Sequence, residues 1–333
     1  MLLSVLTTFC YAQNATVKRG DKQYDKYIYI DATKTYEHVA EKGYKSADMF
    51  QKLANAYYFN SDLVNANKWY TELFALNTAL TPEYYYRYSQ SLRAVGQYEK
   101  ADEMMAVFTE KNKDDSRGKI YTEKKNYLEV IKSNSGRYTI KDAGINSKYS
   151  DYGSAIIKDE LVFTTARDTG HFATKIHKWS NQYFTNLYSA KIISSDSLGT
   201  PLKFAKEVKT KFHESTPVFT KDGRTMYFTR NNFNDGKRQR NEDRITLLKI
   251  YKATYVEDKW DDATEVSFNS NYYNTAHPSL SADEKTLYFA SDMPGTLGQS
   301  DIYKVKINDD GSFGNPENLG KTINTEGKES FPL

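Results

Sequence analysis

A chain of 333 residues with 46 basic and 43 acidic side chains carries a formal net charge of +3. That balance lacks the concentrated basic field of a nucleic-acid groove, and no apolar run approaches the roughly 18 residues of a membrane-spanning helix. A single cysteine, Cys10, excludes a disulfide framework. Tyrosine is abundant, 28 against 17 phenylalanines, which suits half-buried surfaces where the ring packs and the hydroxyl stays wet.

The opening MLLSVLTTFCYAQ reads as the end of an export signal over residues 1–12. A short apolar run, Leu2 to Phe9, precedes Cys10-Tyr11-Ala12 as a small-x-Ala cleavage site, although a basic n-region is missing. Acylation of Cys10 is the weaker reading, because Phe9 is bulkier than the small residue that precedes a lipidated cysteine; an uncleaved cytosolic N-terminus is the other alternative.

Residues 22–132 read as a helical domain, with helical periodicity from Tyr24 to about Ile131. Three segments superpose: Tyr29, Ala32, Tyr36, Val39; Leu63, Ala66, Tyr70, Leu73; and Tyr98, Ala101, Met105, Phe108. Each keeps to one helix face. Ala32, Ala66 and Ala101 recur at a spacing of roughly 34 residues, the tetratricopeptide period, and their small side chains let two helices approach. Gly96 and Ser61 fall at equivalent interhelix turns, and Pro82 falls at a helix start, where its missing N–H costs nothing. The region resembles the tetratricopeptide family: about two repeats, a half repeat before them, and a terminal helix near Ser116 to Ile131. The resemblance implies a protein-binding groove, with Tyr57, Tyr58, Arg87 and Tyr88 as candidate partner-contacting side chains, or else a helical spacer. The mixed-charge run Glu110 to Lys119 reads as a solvated connection. Ser133 to Gly136 marks a boundary.

From Arg137 the pattern changes to period two. STPVFTKDGRTMYFTR (215–230) and HPSLSADEKTLYFASD (277–292) are copies of one unit, and one spacing separates Pro217 from Pro278, Asp222 from Asp283 and Phe228 from Phe289. SAIIKDELVFTTARD (154–168) is a weaker copy without the proline, and Pro332 opens the pattern again. Asp222 and Asp283 sit in hairpin turns, where a short carboxylate accepts backbone N–H groups. Third strands carry Leu187-Tyr188, Ile250-Tyr251 and Ile302-Tyr303. Outer strands lie near Trp260 or Phe313, leading into Glu265-Val266 or Asn318-Leu319. The segments Asp168 to Thr185 and Asn231 to Thr246 read as inserted loops. Four strands per copy make a propeller blade, and the motif resembles TolB-like, WD-type propeller repeats. The fold class expected is therefore α + β multidomain: a tetratricopeptide-like α-solenoid, then an incomplete β-propeller over residues 137–333 with about three four-stranded blades and the start of another.

Catalytic patterns do not emerge. His38, His171, His177, His213 and His277 form no metal-ligand spacing. No G-x-S-x-G, P-loop or G-x-G-x-x-G occurs. Asp292 and Asp301 lack calcium-loop spacing, and Lys237-Arg238-Gln239-Arg240 reads as a solvated basic loop. The sequence predicts no cofactor, no metal, no nucleic-acid partner, no transmembrane segment and no enzyme.

The order of these parts, with the wording SDYGSA, HPSLSADEKTLYFASD, SDIYKV and NPENLGKTINTEGKESFPL, resembles the N-terminal part of the OmpA-family envelope proteins of Bacteroidota, the PorE-like group. The resemblance implies a periplasmic adaptor linked with type IX secretion and gliding. It would dock an outer-membrane partner of the PorP/SprF-like kind and hold peptidoglycan through an OmpA-type domain that this sequence does not contain. The alternatives from other classes are a glycan- or muropeptide-binding propeller and a regulatory propeller of a hydrolase.

Overall fold

The computed structural model of the chain describes residues 2–167, 176–234, 236–261 and 263–333, with side chains from residue 13 onward. His171 and the first part of the predicted loop from Asp168 lie outside the described residues. An N-terminal helical region is followed by a β-sheet-rich region. Two compact units result: Met1–Tyr127 with Ile176–Asn181, and Leu128–Lys175 with Gln182–Leu333.

In the helical unit, α1 (Leu2–Tyr24) packs on α2 (Tyr29–Glu41), α3 (Ala47–Tyr58) on α4 (Leu63–Ala75), and α5 (Pro82–Ala94) on α6 (Tyr98–Lys111). Each pair turns in the same way. Tyr27, Ser61 and Gly96 take left-handed φ values of 57°, 58° and 76°. The next N–H then reaches back to a carbonyl in the last turn of the first helix: Ile28 to Gln23 (2.9 Å), Asp62 to Tyr57 (3.0 Å) and Gln97 to Leu92 (2.9 Å). This is the Schellman closure, which satisfies carbonyls that the helix end would otherwise orphan. Ser46 and Asp62 then cap α3 and α4, accepting from Met49 N (3.2 Å) and Asn65 N (3.1 Å).

Most of the predicted helix faces are core, except at two helix starts, where Leu63 is half-buried and Tyr98 is exposed. Ala32, Ala66, Ala101, Tyr36, Tyr70, Leu73 and Phe108 have no exposed surface. The N-terminal half repeat expected from the sequence is instead a full helix pair. Helical periodicity starts only at Tyr24, because residues 13–23 offer Val17 as their one buried apolar side chain. What seats α1 is the absence of a side chain: a Cβ on Gly20 would sit 2.5 Å from Tyr36 Cε1. The expected terminal helix is also different, being broken into α7 (Ser116–Glu123) and α8 (Tyr127–Ser133). The break places the Tyr121 and Tyr127 rings against one guanidinium, that of Arg93, at 6.0 and 4.7 Å.

The β-rich unit is three antiparallel meanders. The first runs β1 (Asp151–Ile157), β2 (Glu160–Thr165), the short β4 (Gln182–Tyr183), β5 (Asn186–Ser194), β6 (Ser197–Leu198) and β7 (Leu202–Lys203), while the two-residue β3 (Ile176–His177) falls in the helical unit. The second runs β8 (Glu214–Phe219), β9 (Thr225–Asn231), the small hairpin β10 (Phe233–Asn234) and β11 (Lys237–Arg238), β12 (Leu248–Val256), β13 (Lys259–Trp260) and β14 (Thr264–Glu265). The third is β15 (Thr275–Leu280), β16 (Thr286–Ser291), β17 (Asp301–Lys306) and β18 (Glu317–Asn318). Their sheet orders are β1-β2-β5-β6 with β7 on β5, β13-β12-β9-β8 with β14 on β12, and β15-β16-β17-β18.

Register makes the repetition exact in position. The same Phe opposite Tyr recurs in each sheet, Phe163 on Tyr188, Phe228 on Tyr251 and Phe289 on Tyr303, an aromatic cross-strand pair at its centre. Sheets pack face to face. Met226 and Phe228 join Val162 and Leu187 in one core, while Tyr227, between them, joins Leu287 and Phe289 in the next. The β9 strand is therefore buried on both faces. In β16, Tyr288 is only half-buried between buried Leu287 and Phe289, so the period-two signal survives there.

Candidate functional site

The prolines singled out from the sequence mark a backbone device. Pro217, Pro278 and Pro332 each follow a residue with left-handed φ: Thr216 (47°), His277 (56°) and Phe331 (53°). At the first two, and at Gly153-Ser154 in the first sheet, the ladder slips by a bulge. The first copy lacks the proline because it solves the same turn with Gly153 (φ 59°), where a Cβ would meet Thr216 Cγ2 at 2.9 Å. The freed N–H groups stitch sheet to sheet. Thr216 N donates to Thr164 Oγ1 (2.9 Å), and His277 N donates to Thr229 Oγ1 (2.8 Å). Asp222 and Asp283 brace the hairpin turns, accepting from Arg224 N (2.9 Å) and Lys285 N (3.1 Å). The Thr220 and Ser281 hydroxyl bonds, with those amides, hold both carboxyls below the usual range.

Of the four side chains expected to face a partner, two come together. Tyr58 ends α3 and Arg87 lies mid-α5, with the guanidinium 5.6 Å from the Tyr58 ring and 5.0 Å from Phe59. Tyr57 points elsewhere, its hydroxyl donating to Glu37 Oε1 (2.8 Å). Tyr88 is not on the surface: it is 1% exposed, packed on Phe74 at 4.6 Å with its hydroxyl at Thr71 Oγ1 (3.0 Å). One residue further along α5 turns the side chain about 100° from Arg87 into the helix-pair seam.

Arg87 anchors a network across α3, α5 and α7 that periodicity alone misses. Its Nε donates to Glu83 Oε1 (3.1 Å) and its Nη1 to Asn55 Oδ1 (2.9 Å). Asn55 Oδ1 also accepts from the Tyr70 hydroxyl (2.8 Å). Arg117 Nη2 donates to Glu83 Oε2 (2.9 Å) and Asp115 Oδ2 (2.8 Å), and its guanidinium lies 4.3 Å over the Tyr86 ring. Burial pushes the Tyr58 phenol up to about 12, so it stays a neutral donor at physiological pH. Two arginines balance Glu83 and Asp115 within the network. The arrangement presents planar guanidinium and phenol surfaces, the side chains enriched where proteins dock, and it activates no nucleophile. The run Pro82-Glu-Tyr-Tyr-Tyr-Arg-Tyr sets aromatics around one arginine in sequence, but its meeting with Asn55 and Arg117 is set across helices and is not written there.

No protein-family profile and no curated protein matches the sequence. Among solved structures, a puromycin-hydrolyzing peptidase of Mycobacterium tuberculosis aligns with TM-score 0.33 and 14% identity, covering 53% of this chain and 24% of that one. Likeness at that level assigns neither fold nor activity.

Two more observations bound the chemistry. Among the described residues, no three His, Cys, Asp or Glu side chains converge as a metal site, and no helix is long and apolar enough to cross a membrane. The helical unit also takes in a segment that the sequence reading treats as loop, Ile176–Asn181. Trp179 stacks on Tyr27 at 5.6 Å and meets Tyr29 edge-on at 4.8 Å. Its signal was a lone tryptophan, Trp179, in a segment that otherwise reads as loop.

Proposed function

We propose that the chain is a non-enzymatic docking scaffold of the cell envelope, built from tetratricopeptide-like helix pairs and propeller-type blades. The observation that carries this reading is the Arg87 network: part-buried ion pairs hold aromatic and guanidinium faces in place, and nothing in it is poised for proton transfer or attack. The turn shared by Tyr27, Ser61 and Gly96 supports the helical-repeat assignment. Support for blades comes from the shared Phe–Tyr pairs and the bulge at Gly153, Thr216 and His277. The resemblance of SDYGSA, SDIYKV and NPENLGKTINTEGKESFPL to OmpA-family envelope proteins supports a periplasmic location, with residues 1–12 as the export signal. There it engages an outer-membrane protein of the PorP/SprF-like kind. In the longer protein which that likeness implies, an OmpA-type domain grips peptidoglycan.

A photoreactive phenylalanine analogue at Tyr58, irradiated in cells, tests the site. The expected result is a discrete adduct with an outer-membrane protein. A folded, exported protein that yields no adduct contradicts the proposal.

A further inference from the structure

Within the second sheet lies a recess of about 400 Å³ that neither the stitching bulges nor the Arg87 network uses. The third sheet supplies an internal comparison. There Asp301, opposite Ser291 in the ladder, is fully buried. It accepts from Leu297 N (2.8 Å), Gly298 N (3.3 Å) and Asn318 Nδ2 (2.7 Å), so residues 292–300 close over it. The register-equivalent position in the second sheet is Lys249, opposite Arg230. The longer segment 232–247 turns away as the β10–β11 hairpin and leaves the space above Lys249 open.

The floor of that space is fixed and electrically spent. Lys249 Nζ donates to both Glu265 oxygens (3.1 and 2.9 Å) and to Asn271 Oδ1 (2.9 Å), which uses all three of its hydrogens. Glu265 also takes hydrogen bonds from Asn234 and, at 3.5 Å, from Asn269. Asn234 is oriented in turn by the Tyr251 hydroxyl (3.1 Å) and Asn232 by Asn271 (3.2 Å). Among the described lining residues, what is left to a ligand is neutral: the exposed Gln239 amide, the Asn271 Nδ2 hydrogens and the hydrogen of the Ser270 hydroxyl, whose oxygen already accepts from Tyr272 N (3.1 Å).

A charged ligand would find its counter-charges already paired, and an apolar one would find no aromatic or aliphatic wall in the lining. A molecule whose every hydroxyl both donates and accepts can take the Asn271 Nδ2 hydrogens, the Ser270 hydroxyl hydrogen and both ends of the Gln239 amide. The volume falls in the usual range for small-molecule sites. We infer that the recess binds an uncharged saccharide through Gln239, Ser270 and Asn271 over the Lys249–Glu265 floor.

Ligand-observed saturation-transfer NMR on the whole chain, with cellobiose and N,N′-diacetylchitobiose as probes, tests this. The expected result is transfer to the sugar ring protons from at least one probe, unchanged by added salt because no free charge contributes. The transfer should be lost in the Gln239→Ala/Asn271→Ala double variant, which should stay folded with a lowered melting temperature, because Gln239 is exposed and Lys249 Nζ, losing Asn271 Oδ1, keeps both Glu265 oxygens. Absence of transfer from both probes to the folded protein overturns the inference. So does transfer that persists in the folded double variant.

Discussion

Asp151, Glu214 and Glu329 occupy one position in the first, second and last copies of the β unit, where the third copy has Thr275, and each carboxylate accepts the N–H of the hydroxyl residue four earlier. The donors are Ser147 N (2.5 Å), Thr210 N (2.9 Å) and Thr325 N (3.1 Å). Only Glu214 is essentially sealed from solvent, at 1% exposed. Its Oε1 takes both Thr210 bonds, while Oε2 has no partner. Burial therefore raises its carboxyl from 4.5 to about 7, against the Thr210 bonds and Arg230. Between those values the folded protein holds a proton that the unfolded chain has released, so this group's contribution to stability falls as pH rises from 4.5 through 7. His277 works in the other direction. Burial, with Lys328, takes it from 6.5 down to about 4, so its contribution is lost as pH falls through that window. The two slopes oppose each other in the wild type, and a Glu214→Gln variant separates them. In denaturant titrations it should gain about 2–3 kcal/mol over wild type at pH 8, shrinking toward zero below pH 4.5. A difference that stays constant with pH would contradict the assignment.

At the scale of elements, the recurring problem is how one module grips the next. Thr229 in β9 addresses it twice, accepting from His277 N and meeting the Thr216 hydroxyl at 2.8 Å. Thr229→Val keeps the shape and leaves that buried N–H unpaired. It should cost about 1–3 kcal/mol in urea unfolding, whereas a change within about 0.3 kcal/mol would show that the stitch carries little. The strands and hairpin turns were legible because Pro217, Asp222 and Phe228 each serve one repeated backbone need. The first copy was fainter because Gly153 meets the same need with a different residue. Tyr27 hid the first helix pair for a related reason: a left-handed tyrosine gives no turn signal, unlike Gly96, and residues 13–23 bury too little to set a period. The Arg87 network and the recess over Lys249 were beyond sequence reading. Both depend on which side chains meet across elements, and neither Asn55 with Arg87 nor Lys249 with Glu265 is near in sequence.

At the scale of the whole molecule, side chains in both units are largely committed to holding copies together. Tyr88 illustrates the cost to surface prediction, since packing of α5 on its neighbours consumed one of the four expected contact residues. Arg87 keeps its planar fork at the edge of that packing, and the docking proposal depends on this geometry rather than on charge alone. The most direct measurement is retention of detergent-solubilised outer-membrane protein on the immobilised chain, comparing wild type with Arg87→Lys. Lysine preserves the charge and loses the fork that joins Glu83 to Asn55. The proposal predicts that wild type retains a defined outer-membrane protein and that the variant, equally folded by circular dichroism, binds it about tenfold more weakly. Equal retention by the two proteins would contradict the account.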